Sequence, residues 1–143
     1  MIRSPWKRTN KLDGNRIIYG GKDESKSYTT DASFHLINRS SVDELRQRVK
    51  DKYPEGLANF MVECEQFRPN IIIDTKESFS EDLFTEMRVG SCLFRNVGPA
   101  VRCNAIRVNY DKHCRVDEGE PYSTLSSFRK IPELGIVFGM FYQ

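Results

Sequence analysis

The sequence predicts a single β-rich α+β domain, built as a barrel-like sheet with one or two short helices. Three observations support this fold class. The chain has 143 residues, which is enough for one hydrophobic core and too few for two. Its apolar residues fall into several short runs of strand length, separated by turn-forming residues. Strands therefore outnumber the segments with helical spacing, as in small barrels.

The N-terminal segment differs in composition from the rest of the chain. Residues 1–27 are polar and rich in basic side chains, with Gly20 and Gly21 in sequence. We predict that this segment is mainly loop, with one short strand at 17–19. The folded domain is expected to span residues 28–143.

A strand and a helix are predicted next. Residues 34–37 are typical of a strand. Ser41 and Glu44 have the spacing of a capping box, in which each side chain bonds a backbone amide at the start of a helix. Apolar residues recur at helical spacing over 42–52, so we predict a helix there, ended by Pro54.

The rest of the chain is predicted to be mostly strand, on the basis of apolar runs, a turn at Gly90 and an aromatic C-terminal run. The predicted elements are a buried strand at 70–74, a helical turn from 80, a hairpin of 86–89 and 92–97, a strand at 104–108 with a turn at 109–111, a short helix at 124–129 and a last strand at 138–142.

Composition argues against several classes of function. The net charge is only +2, and basic and aromatic residues do not cluster in the body of the chain, so no nucleic-acid surface is predicted. No apolar run approaches the length of a membrane span. The four cysteines form no C-x-x-C pair, which argues against a zinc finger. Because no signal peptide precedes them, we expect reduced thiols in an intracellular protein.

Two short segments carry the candidate functional residues. Arg68 and Asn70 flank a proline, and Arg102 precedes Cys103 some thirty residues later. A thiolate is a soft metal ligand and a guanidinium grips phosphate, so together they suggest a bound metal–phosphate cofactor. Each residue also has a simpler interpretation. Cys103 could be a buried thiol, Arg68 a surface ion-pair partner, and Asn70 a turn residue before a strand.

Other polar residues are interpreted as structural. Glu81 and Asp82 could form a general acid–base pair, but their place in the first turn of a predicted helix favours simple stabilisation by the helix dipole. His113 lies in a charged turn and is predicted to be solvated. The remaining cysteines are interpreted as structural thiols: Cys64, Cys92 and Cys114.

From about residue 28 to its end the chain resembles the MOSC domains, and among them the mitochondrial amidoxime reducing component and the C-terminal domain of molybdenum cofactor sulfurase. The most specific part of the resemblance is the combination of residues 67–70 with Arg102 and Cys103. The matching segments are residues 33–38, 41–45, 67–71, 79–82, 88–90, 97–103, 120–129 and 138–139.

The resemblance implies a MOSC-type β-barrel that holds the molybdenum–molybdopterin cofactor. Cys103 would be the molybdenum ligand and catalytic residue, and Arg68, Asn70 and Arg102 would bind the cofactor. An oxidoreductase is also implied, one that reduces small N-hydroxylated compounds such as amidoximes with electrons from cytochrome b5 and NADH-cytochrome b5 reductase. Its compartment would be mitochondrial by resemblance, and otherwise cytoplasmic.

Two alternatives stay open. The chain could be a non-catalytic carrier of the cofactor, like the sulfurase C-terminal domain, whose pyridoxal-phosphate chemistry lies in a separate domain. It could also be an inert remnant. The family's β-rich N-terminal part, with a Lys-Ser pair that contacts the cofactor, does not fit before residue 28. In addition, Ala100 and Gln66 stand where the family usually has Cys and Arg. We therefore expect an incomplete MOSC domain.

Overall fold

A computed structural model describes residues 32–57, 60–109, 114–116 and 118–143. Within these ranges, six strands form a sheet that curls into a half-barrel, accompanied by two α-helices. The predicted β-rich α+β class is confirmed. The predicted strand at 17–19, most of the turn at 109–111 and His113 lie outside the described residues. No helix in the described ranges is long and apolar enough to cross a membrane.

The central strand of the sheet is the last in sequence, and the sheet order is β2-β1-β8-β4-β3 with β7 also paired to β8. Strands β1 and β2 are parallel, and the other pairs are antiparallel. A separate two-stranded ladder joins β5 to β6. The bounds are β1 (Phe34–Asn38), α1 (Arg39–Lys52), β2 (Ile71–Ile73), β3 (Glu86–Val89), β4 (Cys92–Val101), β5 (Val108–Asn109), β6 (Cys114–Arg115), α2 (Tyr122–Phe128), β7 (Lys130–Ile131) and β8 (Gly135–Tyr142).

The buried apolar side chains form two clusters. Ile37 and Leu36 are consecutive in β1, so they point to opposite faces of the sheet and belong to different clusters. The larger cluster contains the apolar positions of α1 together with Phe67 and Phe138. The smaller one is built around Leu36, Met140 and Tyr142, which are fully buried.

The start of α1 differs from the prediction. The helix begins at Arg39, and the cap is Asn38, whose side chain accepts a hydrogen bond from the Ser40 amide. The predicted capping box is wrong because the Ser41 hydroxyl lies inside the helix and donates to the carboxylate of Glu81 instead. The other half of the predicted box, Glu44, pairs with Arg48.

Two predicted strands are also corrected. The sequence predicts a buried strand at 70–74, but β2 covers only three residues and Ile72 is 42% exposed. Among the described strands β2 pairs with β1 alone, so it lies at an edge and its isoleucines are only partly covered. The predicted strand at 104–108 is instead a 3-10 turn, Asn104–Arg107, that buries Ile106.

The centre of the sheet contains a close approach that only glycine allows. Gly139 in β8 has φ +75°, and a Cβ there would lie 2.6 Å from the Leu36 carbonyl oxygen and 2.8 Å from His35 Nε2. Strand β4 is also irregular, with register shifts against β8 on either side of Gly98 and Pro99. The end of β4 pairs with β8 beyond these irregularities, and the candidate site lies directly after it.

Candidate functional site

Arg102, directly after β4, ties three parts of the fold together. Its Nε and Nη2 donate hydrogen bonds to the carbonyl oxygen of Phe138, at 2.8 and 2.6 Å. Its Nη1 donates to the carbonyl oxygen of Phe67 at 3.2 Å, and its amide donates to the carbonyl oxygen of Ile136 at 2.7 Å. The segment that carries Cys103 is therefore held against both β8 and the turn that carries Arg68.

His35 provides a further hydrogen-bond acceptor for this guanidinium. Its Nε2 contacts Nη2 of Arg102, and its Nδ1 lies 3.4 Å from the carbonyl oxygen of Arg68. Because an arginine can only donate, Nε2 must accept and Nδ1 must carry the ring proton. Burial, together with the charge of Arg102, lowers the pKa of His35 to about 3. The ring is therefore neutral at physiological pH.

Arg102 carries a charge that no carboxylate neutralises within the described residues. Burial lowers its pKa to about 9, so the guanidinium remains protonated at neutral pH. Removing a cation from water without a counter-ion is costly, which makes the position favourable for an anion. The next residue, Cys103, has an extended backbone and an exposed, free thiol. The interpretation of Cys103 as a buried thiol is therefore wrong.

The Arg68 turn has an unusual backbone. A 3-10 turn, Cys64–Phe67, buries Phe67 against Phe138, with ring centroids 4.6 Å apart. Arg68 follows in the left-handed region, at φ 54° and ψ 53°, which costs a non-glycine residue about 1–3 kcal/mol. Its side chain is exposed. Such strain is retained where the surrounding structure enforces it, often at functional sites.

Asn70 joins the same turn to β1. Its side-chain Oδ1 accepts a hydrogen bond from the backbone amide of His35 at 2.8 Å, and the backbone amide of Asn70 donates to the carbonyl oxygen of His35 at 2.8 Å. The simpler interpretation of Asn70, as a residue that turns the chain before a strand, is consistent with these contacts. A role in cofactor binding stays a prediction for Arg68, Asn70, Arg102 and Cys103. The structure brings the two segments that contain them together through the hydrogen bond between Arg102 and Phe67.

Sequence reasoning missed His35. A polar residue between Phe34 and Leu36 interrupts an apolar strand, which is a weak signal. The side chain is only 3% exposed, and its partners Arg68 and Arg102 lie 33 and 67 residues further along the chain. Nothing local in the sequence points to them.

The two carboxylates considered as an acid–base pair have separate structural partners. Glu81 is fully buried and accepts hydrogen bonds from Asn38 at 2.8 Å and from Ser41 at 2.7 and 2.9 Å. Burial raises the pKa of its carboxyl, and the hydrogen bonds from Ser41 and Asn38 oppose that rise. Asp82 instead forms a two-point ion pair with Arg129, at 2.6 and 3.0 Å. The two residues tie the 3-10 turn Ser80–Leu83 to the rest of the domain.

A shallow groove of about 200 Å³ lies elsewhere, between the two helices. One of its two basic lining residues, Lys52, donates to the buried carboxylate of Glu120 at 2.6 Å and to the hydroxyl of Ser123 at 2.9 Å. The groove contains none of the predicted site residues. The described ranges contain no group of three or more His, Cys, Asp or Glu side chains that could hold a metal ion.

Comparison with known proteins identifies relatives that cover most of this chain. The sequence matches the MOSC domain over residues 23–143. It is 33% identical over 134 residues to a molybdenum cofactor sulfurase from Drosophila mojavensis, which covers 94% of this chain and 15% of that protein. Identity to a zebrafish (Danio rerio) molybdenum cofactor sulfurase is 32% over 107 residues, covering 72% of this chain and 13% of that protein.

A relative with a different name matches at the same level. The chain is 32% identical over 103 residues to the rat (Rattus norvegicus) mitochondrial amidoxime reducing component 2, covering 72% of this chain and 28% of that protein. The chain therefore spans less than a third of the length of these relatives.

Proposed function

The chain belongs to the MOSC domain family, and on that premise we propose that it binds the molybdenum cofactor through Cys103, Arg68, Asn70 and Arg102. The observation that carries the proposal is the partly buried cation of Arg102, which lacks a carboxylate partner among the described residues and adjoins an exposed thiol. A site with this charge and this donor suits an anionic group that also carries a soft metal.

The available side chains fit such a group chemically. The Cys103 thiol can supply a soft sulfur ligand to the metal. Arg68, which directly follows the 3-10 turn Cys64–Phe67, has an exposed guanidinium. A guanidinium can hold a phosphate through two parallel hydrogen bonds. Arg102 would contribute a fixed positive charge. When bound, the cofactor would supply oxygen-atom transfer and electron relay, while the chain provides binding, orientation and charge.

The finer proposal is a reductase of small N-hydroxylated compounds. It is supported by the likeness to the mitochondrial amidoxime reducing component 2. Under this proposal electrons come from cytochrome b5 and its NADH-dependent reductase, and the protein works in mitochondria.

A carrier role is the second candidate, and the several sulfurase relatives favour it. In that case the chain holds the cofactor while the pyridoxal-phosphate chemistry takes place in a separate domain. The two candidates share the same binding site and differ only in turnover.

Molybdenum content tests the shared proposal. The protein is produced in a cofactor-competent host, and metal per chain is measured by mass spectrometry for the wild type, Cys103→Ser and Cys92→Ser. Cys92 is a matched control because it is also an exposed, free thiol. We expect Cys103→Ser to lose the metal and Cys92→Ser to keep it. A wild type without molybdenum, or equal metal in both variants, would contradict the proposal.

Turnover then separates the two candidates. Metal-loaded protein is supplied with NADH, cytochrome b5 reductase, cytochrome b5 and an amidoxime. Amidine formation that is lost in Cys103→Ser supports the reductase. Full metal content without amidine formation supports the carrier.

A further inference from the structure

We propose that His35 is a positioning residue that fixes Arg102 in the cofactor site without cancelling its charge. This inference rests on the proposed cofactor site and adds a residue to it. His35 itself is buried in β1 and is not expected to touch the cofactor. Its effect is exerted through the guanidinium that precedes Cys103.

The geometry makes His35 the one side chain among the described hydrogen-bond acceptors of Arg102, whose guanidinium also lies over the Phe67 ring. The other acceptors are the backbone carbonyls of Phe67 and Phe138. The backbone carbonyls would be present whatever side chains occupied those positions, whereas the third acceptor depends on the histidine side chain at position 35. Together these acceptors lie on β1, β8 and the turn before Arg68, so they fix the guanidinium in both direction and rotation.

The surroundings of the ring leave it little freedom. The Phe141 ring packs against it at 5.4 Å between centroids, in an edge-on arrangement. On β8, the position where a Gly139 Cβ would lie is 2.8 Å from Nε2, so even a methyl group there would displace the ring. Nδ1 donates to the carbonyl oxygen of Arg68 at 3.4 Å. The ring therefore presents Nε2 to Arg102 in one orientation.

The choice of a neutral acceptor has a consequence for charge. A guanidinium removed from water can be held by a carboxylate, as Arg129 is held by Asp82 in this same domain. Such a pair is close to neutral and attracts an anion weakly. An imidazole that accepts through a lone pair also orients the guanidinium but leaves its full positive charge. Arg102 is thus fixed in place and still able to attract an anion beside Cys103.

An isosteric pair of substitutions separates geometry from charge. His35→Gln can offer a neutral oxygen acceptor near the position of Nε2, whereas His35→Glu offers the same acceptor with a negative charge. Both side chains can hold Arg102 in place, but only the glutamate cancels its positive charge. We expect His35→Gln to keep most of its molybdenum and His35→Glu to lose it several-fold, although both remain folded by thermal unfolding.

A second measurement does not need the cofactor. In metal-free protein, Cys103 is alkylated with anionic iodoacetate and with neutral iodoacetamide, and the products are resolved by peptide mass spectrometry. The rate with iodoacetate divided by the rate with iodoacetamide reports the local electrostatic potential, because the thiolate fraction enters both rates equally. We expect this ratio to fall several-fold at Cys103 in His35→Glu and to stay unchanged in His35→Gln. The exposed thiol of Cys92 is the internal reference.

The outcomes are distinguishable. If the wild type holds no molybdenum but the alkylation ratio behaves as expected, the proposed function fails and the role of His35 stands. If His35→Glu keeps both its metal and its alkylation ratio, the inference about His35 is overturned. Should His35→Glu not fold, His35→Phe replaces it, since that variant keeps a buried ring and removes the acceptor. Unchanged metal content in His35→Phe would also overturn the inference, because that variant removes the acceptor that positions Arg102.

Discussion

Arg102 and Phe138 are joined by two hydrogen bonds to a single carbonyl oxygen, from Nε at 2.8 Å and from Nη2 at 2.6 Å. Phe138 belongs to the central strand β8, and Arg102 lies immediately after β4. The contact therefore positions the Cys103 segment relative to the core of the sheet. It depends on the planar fork of a guanidinium, which a lysine does not have.

Arg102→Lys should damage both the fold and the site. A lysine carries its three donors on one nitrogen instead of a planar fork, so it cannot reproduce the separate bonds to the carbonyls of Phe67 and Phe138 and to the ring of His35. We expect a loss of about 1.5–3 kcal/mol in the free energy of unfolding, measured by urea denaturation. Arg95→Lys on the exposed side of β4 is the control and should change stability by less than about 0.5 kcal/mol. Equal stability of the two variants would contradict the bridging role of Arg102.

Gly139→Ala should be strongly destabilising. The added Cβ would lie 2.6 Å from both the Leu36 carbonyl oxygen and Ile37 Cδ1, and the backbone has φ +75°. Overpacking and left-handed strain each cost about 1–3 kcal/mol. Gly90→Ala is a matched control, since Gly90 also has positive φ, at +60°, but has nothing within 4 Å of the added Cβ. The difference between the two urea midpoints isolates the steric contribution, and similar midpoints would mean that β1 and β8 can move apart.

The elements that sequence analysis predicted well are those whose signal is local. The hairpin of β3 and β4 around Gly90 and the last strand β8 follow from apolar runs and turn residues, and the structure contains both. The pairing of the Arg68 turn with the Cys103 segment was also predictable, because two short motifs in a fixed order carried it. The structure brings these segments together through Arg102.

The errors have a tertiary origin. Ser41 had the correct spacing for a capping box, but its hydroxyl has a stronger partner in Glu81, forty residues away. The isoleucines of β2 suggested a buried strand, although β2 lies at an edge of the described sheet. His35 could not be assigned because its partner Arg102 is 67 residues away in sequence. In each case the deciding contact joins segments that no local pattern connects.

The stability of the domain should fall on mild acidification because of His35. Its pKa is lowered from 6.5 to about 3 in the folded state, so between these values the unfolded chain binds a proton that the folded chain does not. Stability therefore rises with pH across this window and is lost as pH falls. From pH 7 to pH 5 the contribution of His35 is a loss of about 2 kcal/mol.

His35→Gln tests this assignment. Urea denaturation at pH 7 and pH 5 should show a smaller acid-induced loss in the variant than in the wild type. The raised pKa of Glu81 acts in the opposite direction, but it is present in both proteins and cancels in the comparison. An identical pH dependence in the two proteins would mean that the pKa of His35 does not differ between the folded and unfolded states.

Glu81 should be needed for its oxygens rather than for its charge. Its carboxylate accepts hydrogen bonds from Asn38 and Ser41, both neutral donors, and is fully buried. Glu81→Ala leaves these donors unsatisfied and opens a cavity, so we expect a loss of about 3 kcal/mol. Glu81→Gln keeps one acceptor and removes a buried charge, and it should change stability by no more than about 1 kcal/mol. Glu77→Ala, at a nearby exposed carboxylate, is the control. A large loss in Glu81→Gln would show that the charge itself is required.

Replacing Arg68 by glycine should raise the stability of the metal-free protein and lower cofactor retention. It holds left-handed backbone angles that glycine adopts without strain, so Arg68→Gly should stabilise the metal-free protein by about 1 kcal/mol. The same change removes an exposed guanidinium from the proposed site, where a charge-assisted contact to phosphate contributes about 1.5–3 kcal/mol. Urea denaturation of the metal-free form and molybdenum content after gel filtration measure the two effects.

Arg68→Lys, which keeps the cation and the strained backbone, should retain more metal than Arg68→Gly without the gain in stability. If Arg68→Gly gains stability and keeps all of its molybdenum, the side chain does not contact the cofactor. If it loses both, the arginine has a structural role that its exposed position does not reveal.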